Sequence, residues 1–556
     1  MPSWKAADHD LEDDPNRVYR LGGWIGCGLL MLAATWRAWV CDDAYITFRV
    51  IDNLVNGYGL RWNVDERVQV FTHPLWMLLH VPFYALFGHI YVVTIVLSLA
   101  LTAGALWVTV RSLAGAPAAA PVFLAVLLAS SQAFMDYTTS GLEAPLSFLL
   151  FALFAHSVSR PTVDWAALIT ISSLAVLNRF DCIVLYAPVL GYSFVRGADR
   201  PKARAYLGLI PLVAWFLFSV LYFGFPFPNT KPAKLSTGLG AVQYIEQGWL
   251  YLNDLVVNDP PSFVIIVMGI LLAILAAWWA GPKAATARDR RIGFLALGVV
   301  AYIGYVIYVG GDFMRGRHFA LPVFASAWLI IGSAGAFPKR VHAVCGVAFA
   351  LGVMLSTLPT KMIATFVDDQ RALYAPRYSL FSRTGGGALF VRTDLGDHHY
   401  VADHDRFLAR RECREALVTQ GAIGIFGYHA GPEVIVIDRY ALSDALLARL
   451  PKRPTPTTTF ALRGLPVGHF RRAIPDGYVE SRLTGEDDRI DPALRSYYGR
   501  LRLITSGPLL SWPRLRAIAD LNLGGHDGLG AYIEAGYGSA ELNPGGRTTW
   551  CATEFR

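Results

Sequence analysis

The chain has 556 residues, of which 54% are hydrophobic and 16% charged, with a formal net charge of +7 and a mean hydropathy of +0.39. A soluble protein of this length needs more polar surface than that, so an ordinary soluble globule is excluded. The modest basic excess comes with no nucleic-acid-binding module; it reads as the Lys and Arg enrichment of loops on the cytoplasmic side of a membrane, and nucleic acid is not an expected partner.

The polar stretch up to Arg20 is acidic as well as basic, and no small-residue cleavage site follows the next apolar run. That run is therefore read as a retained first span rather than a signal peptide. A spanning helix needs about 20 mostly apolar residues. Runs of that kind lie at 21–40, 90–111, 119–136, 142–159, 163–179, 181–196, 204–224, 261–281, 293–310, 317–337 and 341–359, and a shorter one at 74–88. Charge parity decides how they thread. With Arg17 and Arg20 inside and 74–88 not crossing, Arg111, Arg160, Arg196/Arg200/Lys202/Arg204, Lys283/Arg288/Arg290/Arg291 and Lys339/Arg340 all fall inside, as the positive-inside rule requires. The expected fold is a polytopic α-helical membrane protein of about eleven spans, residues 1–359. Composition changes near Pro359, so residues 360–556 are expected to form an extracytoplasmic α/β or β-rich soluble domain. Segments 41–73, 136–142, 179–182, 225–260 and 310–317 then share the outer face with it.

The first outer loop opens CDDAYITFRVIDNLVNGYGLRWN. Tyr45, Phe48, Ile51 and Leu54/Val55 have helical spacing, and Gly57 and Gly59 end the pattern. A short interfacial helix there holds Asp42 and Asp43 at membrane depth, where charge is costly and marks a function or an ion pair. Capping accounts for one aspartate but not for both. FPFPNTKPAK adds Asn229, Lys231 and Lys234; GGDFMRGRHF adds Asp312, Arg315, Arg317 and His318. Several cations on the outer face suit a phosphate or diphosphate, with attraction to anionic head groups as the competing reading. Ser140-Gly141-Leu142-Glu143 and Asn178-Arg179-Phe180-Asp181 also fall at outer span ends, where Glu143 could cap a helix and Arg179 could pair with Asp181. His73 has no partner His at ligand spacing, so no metal ligand is assigned; acids from separate loops could still gather a divalent cation. Of the six cysteines, Cys413 and Cys551 lie in the tail and could pair if it is outside the cytoplasm.

Together these segments resemble membrane glycosyltransferases of the GT-C fold, most nearly the terminal arabinofuranosyltransferases of the mycobacterial cell wall. The resemblance is carried by DDAYITFR…NLVNGYGLRWNVDERVQVFTHPLW, TTSGLE, NRFD, FPNTKPAK, GGDFMRGRHFALP, YHAGPEVIVIDRYALSDALLARLP and GHFRRAIPDGYVES. It weakens after about residue 490, and Pro454 to Thr459 form a Pro/Thr-rich stretch. The resemblance implies an enzyme of the bacterial plasma membrane with an extracytoplasmic site. There, D-arabinofuranose moves from a decaprenyl-phosphate carrier to a glycan acceptor, and the first-loop acid, Asp42 or Asp43, is catalytic. Arg49, Glu143, Arg179, Asn229, Lys231, Lys234, Asp312, Arg315, Arg317 and His318 are the candidate donor- and substrate-binding residues. Aromatics such as Trp512 and Trp550 could stack on an acceptor sugar, although core packing is their commoner use. A non-catalytic scaffold or motor-control protein of the same fold is the alternative. A transporter is disfavoured because the charges gather at one face rather than at the midplane.

Overall fold

The computed structural model describes residues 17–112, 119–196, 200–278 except 236 and 238, 286–356, 367–381, 415–418, 422–451, 470–525, 529–534 and 549–551. It is mostly helical. Ile90–Ser112, Ala203–Phe223, Pro260–Trp278, Ala287–Tyr308 and Arg317–Ala336 are long and apolar enough to cross a membrane. Leu21–Trp36, Pro74–Phe87, Ala120–Ser130, Ala144–Ser159, Trp165–Asn178, Cys182–Arg196 and Val344–Met354 are shorter apolar helices. Each of the eleven expected runs thus contains an apolar helix, but length does not say which of them cross. Pro74–Phe87 and Trp165–Asn178 have 14 residues each. At about 1.5 Å per residue both reach roughly 21 Å, short of a core about 30 Å thick.

The expected span 119–136 is not one helix. It breaks at Ser131, whose side chain accepts the Phe134 N–H and caps a second helix, Gln132–Tyr137. Asp259 holds the break by accepting the Ala133 N–H at 2.8 Å. Neighbouring helices approach closely where side chains vanish: a Cβ at Gly298 would overlap the Leu185 carbonyl, and one at Gly269 would collide with Ser326, the small-residue packing that substitutes for a hydrophobic drive in lipid. Helix Ala241–Asn258 lies in a stretch expected to be loop. Its 18 residues carry polar groups on every turn and lack the apolar run of a span.

The part after residue 367 is bolted to the rest by arginines. Arg49 donates to the carbonyls of Trp62 (2.8 Å), Gly427 (2.6 Å), Gly431 (3.1 Å) and Val434 (2.9 Å). Arg514 donates to Leu221 (2.7 Å) and Tyr222 (2.9 Å), satisfying carbonyls in the last turn of helix Ile210–Phe223 that have no intrahelical partner. Arg472 donates to Ala233 at 2.8 Å. Asn63 exchanges two hydrogen bonds with Val436, both 3.0 Å. Strand Glu415–Val418 lies between Val434–Ile437, parallel, and Thr549–Cys551, antiparallel. The remaining described elements beyond it are helical, chiefly Pro492–Ser506 and Trp512–Asn522. Pro359, Cys413 and the Pro454–Thr459 stretch lie outside the described residues, and with them the expected domain boundary and cysteine pairing.

Segment 367–381 ties the exit of the first helix to the loop before Arg317–Ala336. Val40 N–H bonds the Tyr378 carbonyl and Leu380 N–H bonds the Ala38 carbonyl, while Asp368 N–H bonds Phe313 and Arg315 N–H bonds Asp368. The strap therefore sets where Asp42 and Asp43 stand relative to Asp312 and Arg317.

Candidate active site

Asp42 and Asp43 open helix Asp42–Val55, where negative charge complements the helix dipole. Successive helical residues diverge by about 100°, so the two acids meet different neighbours. Asp42 is 6% exposed and accepts the backbone N–H groups of Gly424 (2.9 Å) and Ile425 (2.8 Å). Burial pushes its carboxyl up to about 6, against the pull of those N–H groups. Asp43 is 24% exposed and lies 3.5 Å from Arg317. Burial raises it above the ordinary aspartate value, with Arg317 and then Lys234 pulling it down.

Around Arg317 the distant segments converge. The guanidinium lies 3.2 Å from Asp312 and 3.8 Å from Glu143. Glu143 also meets Arg179 at 3.2 Å and His73 Nδ1 at 3.1 Å. His73 Nε2 faces the Thr47 hydroxyl at 2.9 Å. Arg179 forks onto Asp181 and also donates to Tyr302 Oη (3.1 Å) and His318 Nδ1 (2.8 Å). Accepting there leaves the other ring nitrogen of His318, 3.5 Å from Asp312, as the donor. Burial opposes ionisation of Asp312, but Lys234, Arg317 and His318 outweigh it and hold the carboxyl well below its usual range. Gly310, Gly311 and Gly316 all have positive φ. They fold the loop tightly enough to bring Asp312, Arg317 and His318 to one place.

These groups wall a cavity of about 350 Å³, with Lys231 and Lys234 from the short helix Thr230–Leu235 on one side and Glu143, Arg179, Asp181, Asp312, Arg317 and His318 on the other. Lys231 also lies over the Phe227 ring at 3.9 Å. Four fixed cations therefore face three carboxylates. Among the described residues no group of three or more His, Cys, Asp or Glu is placed to hold a metal ion; the carboxylates are interleaved with guanidinium groups instead.

Seven of the ten candidate binding residues thus come together, and three do not. Arg49 commits four of its five N–H groups to carbonyls, as described above, is stacked 4.3 Å from Trp62 and is buried, so it ties segments together away from the cavity. Asn229 donates to the carbonyls of Ala441 (2.9 Å), Leu442 (3.1 Å) and Asp444 (3.0 Å); it is a tie between segments. Arg315 points the other way, onto Asp254 (3.0 Å) and Asp369 (3.5 Å). Trp512 is 69% exposed. Tyr302, Tyr305 and Thr72 escaped the sequence reading. The two tyrosines sit inside an apolar helix, and their only signal is a polar tip within a span.

No family model matches the chain. It is similar to the terminal beta-(1->2)-arabinofuranosyltransferase of Corynebacterium glutamicum, 30% identical over 355 residues, 54% of this chain and 49% of that protein. It is also similar to the Mycobacterium tuberculosis protein of the same name, 26% identical over 358 residues, 55% of each. The chain spans about half the length of the curated relatives it matches. A crystal structure of ArnT from Cupriavidus metallidurans bound to undecaprenyl phosphate superposes with a TM-score of 0.44 at 14% identity, covering 88% of this chain and 92% of ArnT. The resemblance read from the sequence is thus matched by the names of these relatives.

Proposed function

We propose that the chain is a membrane glycosyltransferase that moves D-arabinofuranose from a decaprenyl-phosphate carrier to a glycan acceptor on the extracytoplasmic face. The observation that carries this reading is the cavity itself: Lys231, Lys234, Arg179, Arg317 and His318 line one space, next to a carboxylate whose affinity for a proton burial has raised. A departing phosphate needs positive charge and donors more than it needs a proton. Lys231 and Lys234 serve as point charges toward it, while His318, held between Arg179 and Asp312, orients that carboxylate. Arg179 and Arg317 are already held by carboxylates, which fixes their planes and lets them add field without moving.

Asp43 is the general base. A sugar hydroxyl attacks the anomeric carbon, Asp43 takes its proton, and the bond from that carbon to the phosphate oxygen breaks. Asp312 is held ionised by its cations and stabilises positive charge rather than accepting a proton. Asp42 is a positioning residue: its two oxygens are taken by Gly424 and Ile425, so it anchors the helix on which Asp43 stands. The reading is tested by assaying transfer from a polyprenyl-phosphate arabinofuranose to an arabinan oligosaccharide. Absence of transfer by a folded, lipid-embedded wild type would favour the non-catalytic scaffold.

A further inference from the structure

A second cavity, of about 300 Å³, opens at the end of helix Ala203–Phe223; Phe227 and Lys231 belong to the walls of both cavities. The charged residues of the second are Arg67, Lys231 and Arg449, with no carboxylate among them. This contrasts with the balanced charge beside Asp43. Arg67 is 4% exposed, and its buried Nε has no hydrogen-bond partner. Its terminal N–H groups go to the carbonyls of Ile504 and Gly507. Burial first, and then the neighbouring cations Arg514 and Arg61, push its guanidinium down to about 10, against a smaller opposing pull from Tyr222.

Arg449 lies 4.1 Å over the Phe225 ring and donates to the Ala445 carbonyl (2.7 Å) and to Asn229 Oδ1 (3.2 Å). The nearby Asp444 is already engaged by the Tyr478 hydroxyl at 2.8 Å and by Arg482 at 3.7 Å. Among the described residues, no ion pair neutralises Arg67, Lys231 or Arg449. Buried guanidinium without a counter-charge is costly, and an anion seated between the three would remove that cost.

The surroundings put lipid head groups within reach of this cavity. The apolar stretch of Ala203–Phe223 is 17% buried, against 50% or more in each of the other four long apolar helices, so this helix faces lipid. Phe223, Phe225 and Phe227 line the cavity at its end. Guanidinium and ammonium groups beside a membrane suit a phosphate by charge-assisted hydrogen bonds.

We propose that this cavity is a second anion site, taking a phosphate group, either that of a lipid head group or free inorganic phosphate. The site stands whether or not the chain transfers a sugar. The test uses the full chain purified in neutral detergent, with thermal melting and native mass spectrometry during titration with phosphatidylglycerol, phosphatidylcholine or inorganic phosphate. Phosphatidylglycerol or inorganic phosphate is expected to bind and raise the melting temperature, and phosphatidylcholine to do so at least tenfold less well. Arg449→Gln and Arg67→Gln are each expected to weaken binding by roughly tenfold or more, the loss of one charge-assisted hydrogen bond, and Arg449→Lys to retain most of it. Binding of phosphatidylglycerol alone identifies a lipid source; equal protection by inorganic phosphate identifies the free anion. If Arg67→Gln fails to fold, Arg449→Gln against Arg449→Lys decides. Equal binding of both lipids, wild-type affinity in the glutamine variants, or no binding of either anion would overturn the proposal.

Discussion

Replacing Asp43 by Asn removes the proton acceptor while keeping the side chain's shape. A positioned general base contributes roughly 10²–10⁴-fold, about 3–5 kcal/mol at about 1.4 kcal/mol per tenfold, so turnover should fall by two to four orders of magnitude. The fold should survive. Arg317 keeps Asp312 at 3.2 Å and Glu143 at 3.8 Å, so removing the pair with Asp43 leaves no buried charge without a partner. Asp42→Asn should behave in the opposite way. Its amide nitrogen would face one of the Gly424 and Ile425 N–H groups, leaving a buried donor without an acceptor at a cost of about 1–3 kcal/mol, while turnover falls far less. The assay is transfer of a radiolabelled or mass-tagged arabinofuranose from a short-chain polyprenyl phosphate, with melting temperatures recorded for the same preparations. Wild-type turnover in Asp43→Asn beside an inactive but normally stable Asp42→Asn would refute the division of labour between the two acids.

Four further outcomes follow from the same contacts. Asp43 must be ionised to act, so the rate should drop as pH falls through its folded pKa; Arg317 and Lys234 pull that value down, and Arg317→Gln should move the acid limb of the kcat/KM profile to higher pH. Asp42 has the reverse linkage to stability. Its folded pKa of about 6 stands above the ordinary 3.8, so the folded state binds the proton more tightly and this group's contribution to stability falls as pH rises between those values; melting temperatures across that window should be flatter in Asp42→Asn. Arg49→Met leaves the carbonyls of Gly427, Gly431 and Val434 without the arginine, while Trp62 keeps Asn53 at 3.0 Å, and should destabilise the protein by about 3 kcal/mol, read as a lowered melting temperature. Lys231→Ala and Lys234→Ala should each weaken binding of a polyprenyl phosphate by roughly tenfold, measured by calorimetry; unchanged affinity in both would remove the phosphate from this cavity.

Helices were legible wherever a long apolar run made the period irrelevant, as in Pro260–Trp278. They were misread where a polar residue intervenes, because Ser131 caps a new helix in a run that hydropathy treats as continuous. Asp43, Glu143, Arg179, Asp312, Arg317 and His318 could be found because charge is costly beside a membrane, and cost is visible in composition. Their neighbours Arg49, Asn229 and Arg315 carry the same polar signal for a different reason. Each of these three satisfies groups 54 or more positions away, and no local pattern tells a side chain that ties two segments from one that waits for a ligand.

The same consideration separates the two aspartates. In the sequence Asp42 and Asp43 are equivalent, two acids at one helix start. They part only because Gly424 can bring its backbone against Asp42, where a Cβ would overlap the Asp42 carbonyl oxygen. Gly424→Ala therefore offers a test that touches neither acid. It should push segment 424–434 away from helix Asp42–Val55, loosen the grip of Arg49 on Gly427 and Gly431, and displace Asp43 from Arg317. Misplacement of a reacting group by about 1 Å can cost roughly 100-fold, so turnover should fall together with stability. The acid limb of the pH profile should also move up as Arg317 loses its hold on Asp43. A Gly424→Ala protein that melts early but keeps the wild-type profile would show that the clamp is structural only, and that the strap 367–381 alone positions the catalytic acid.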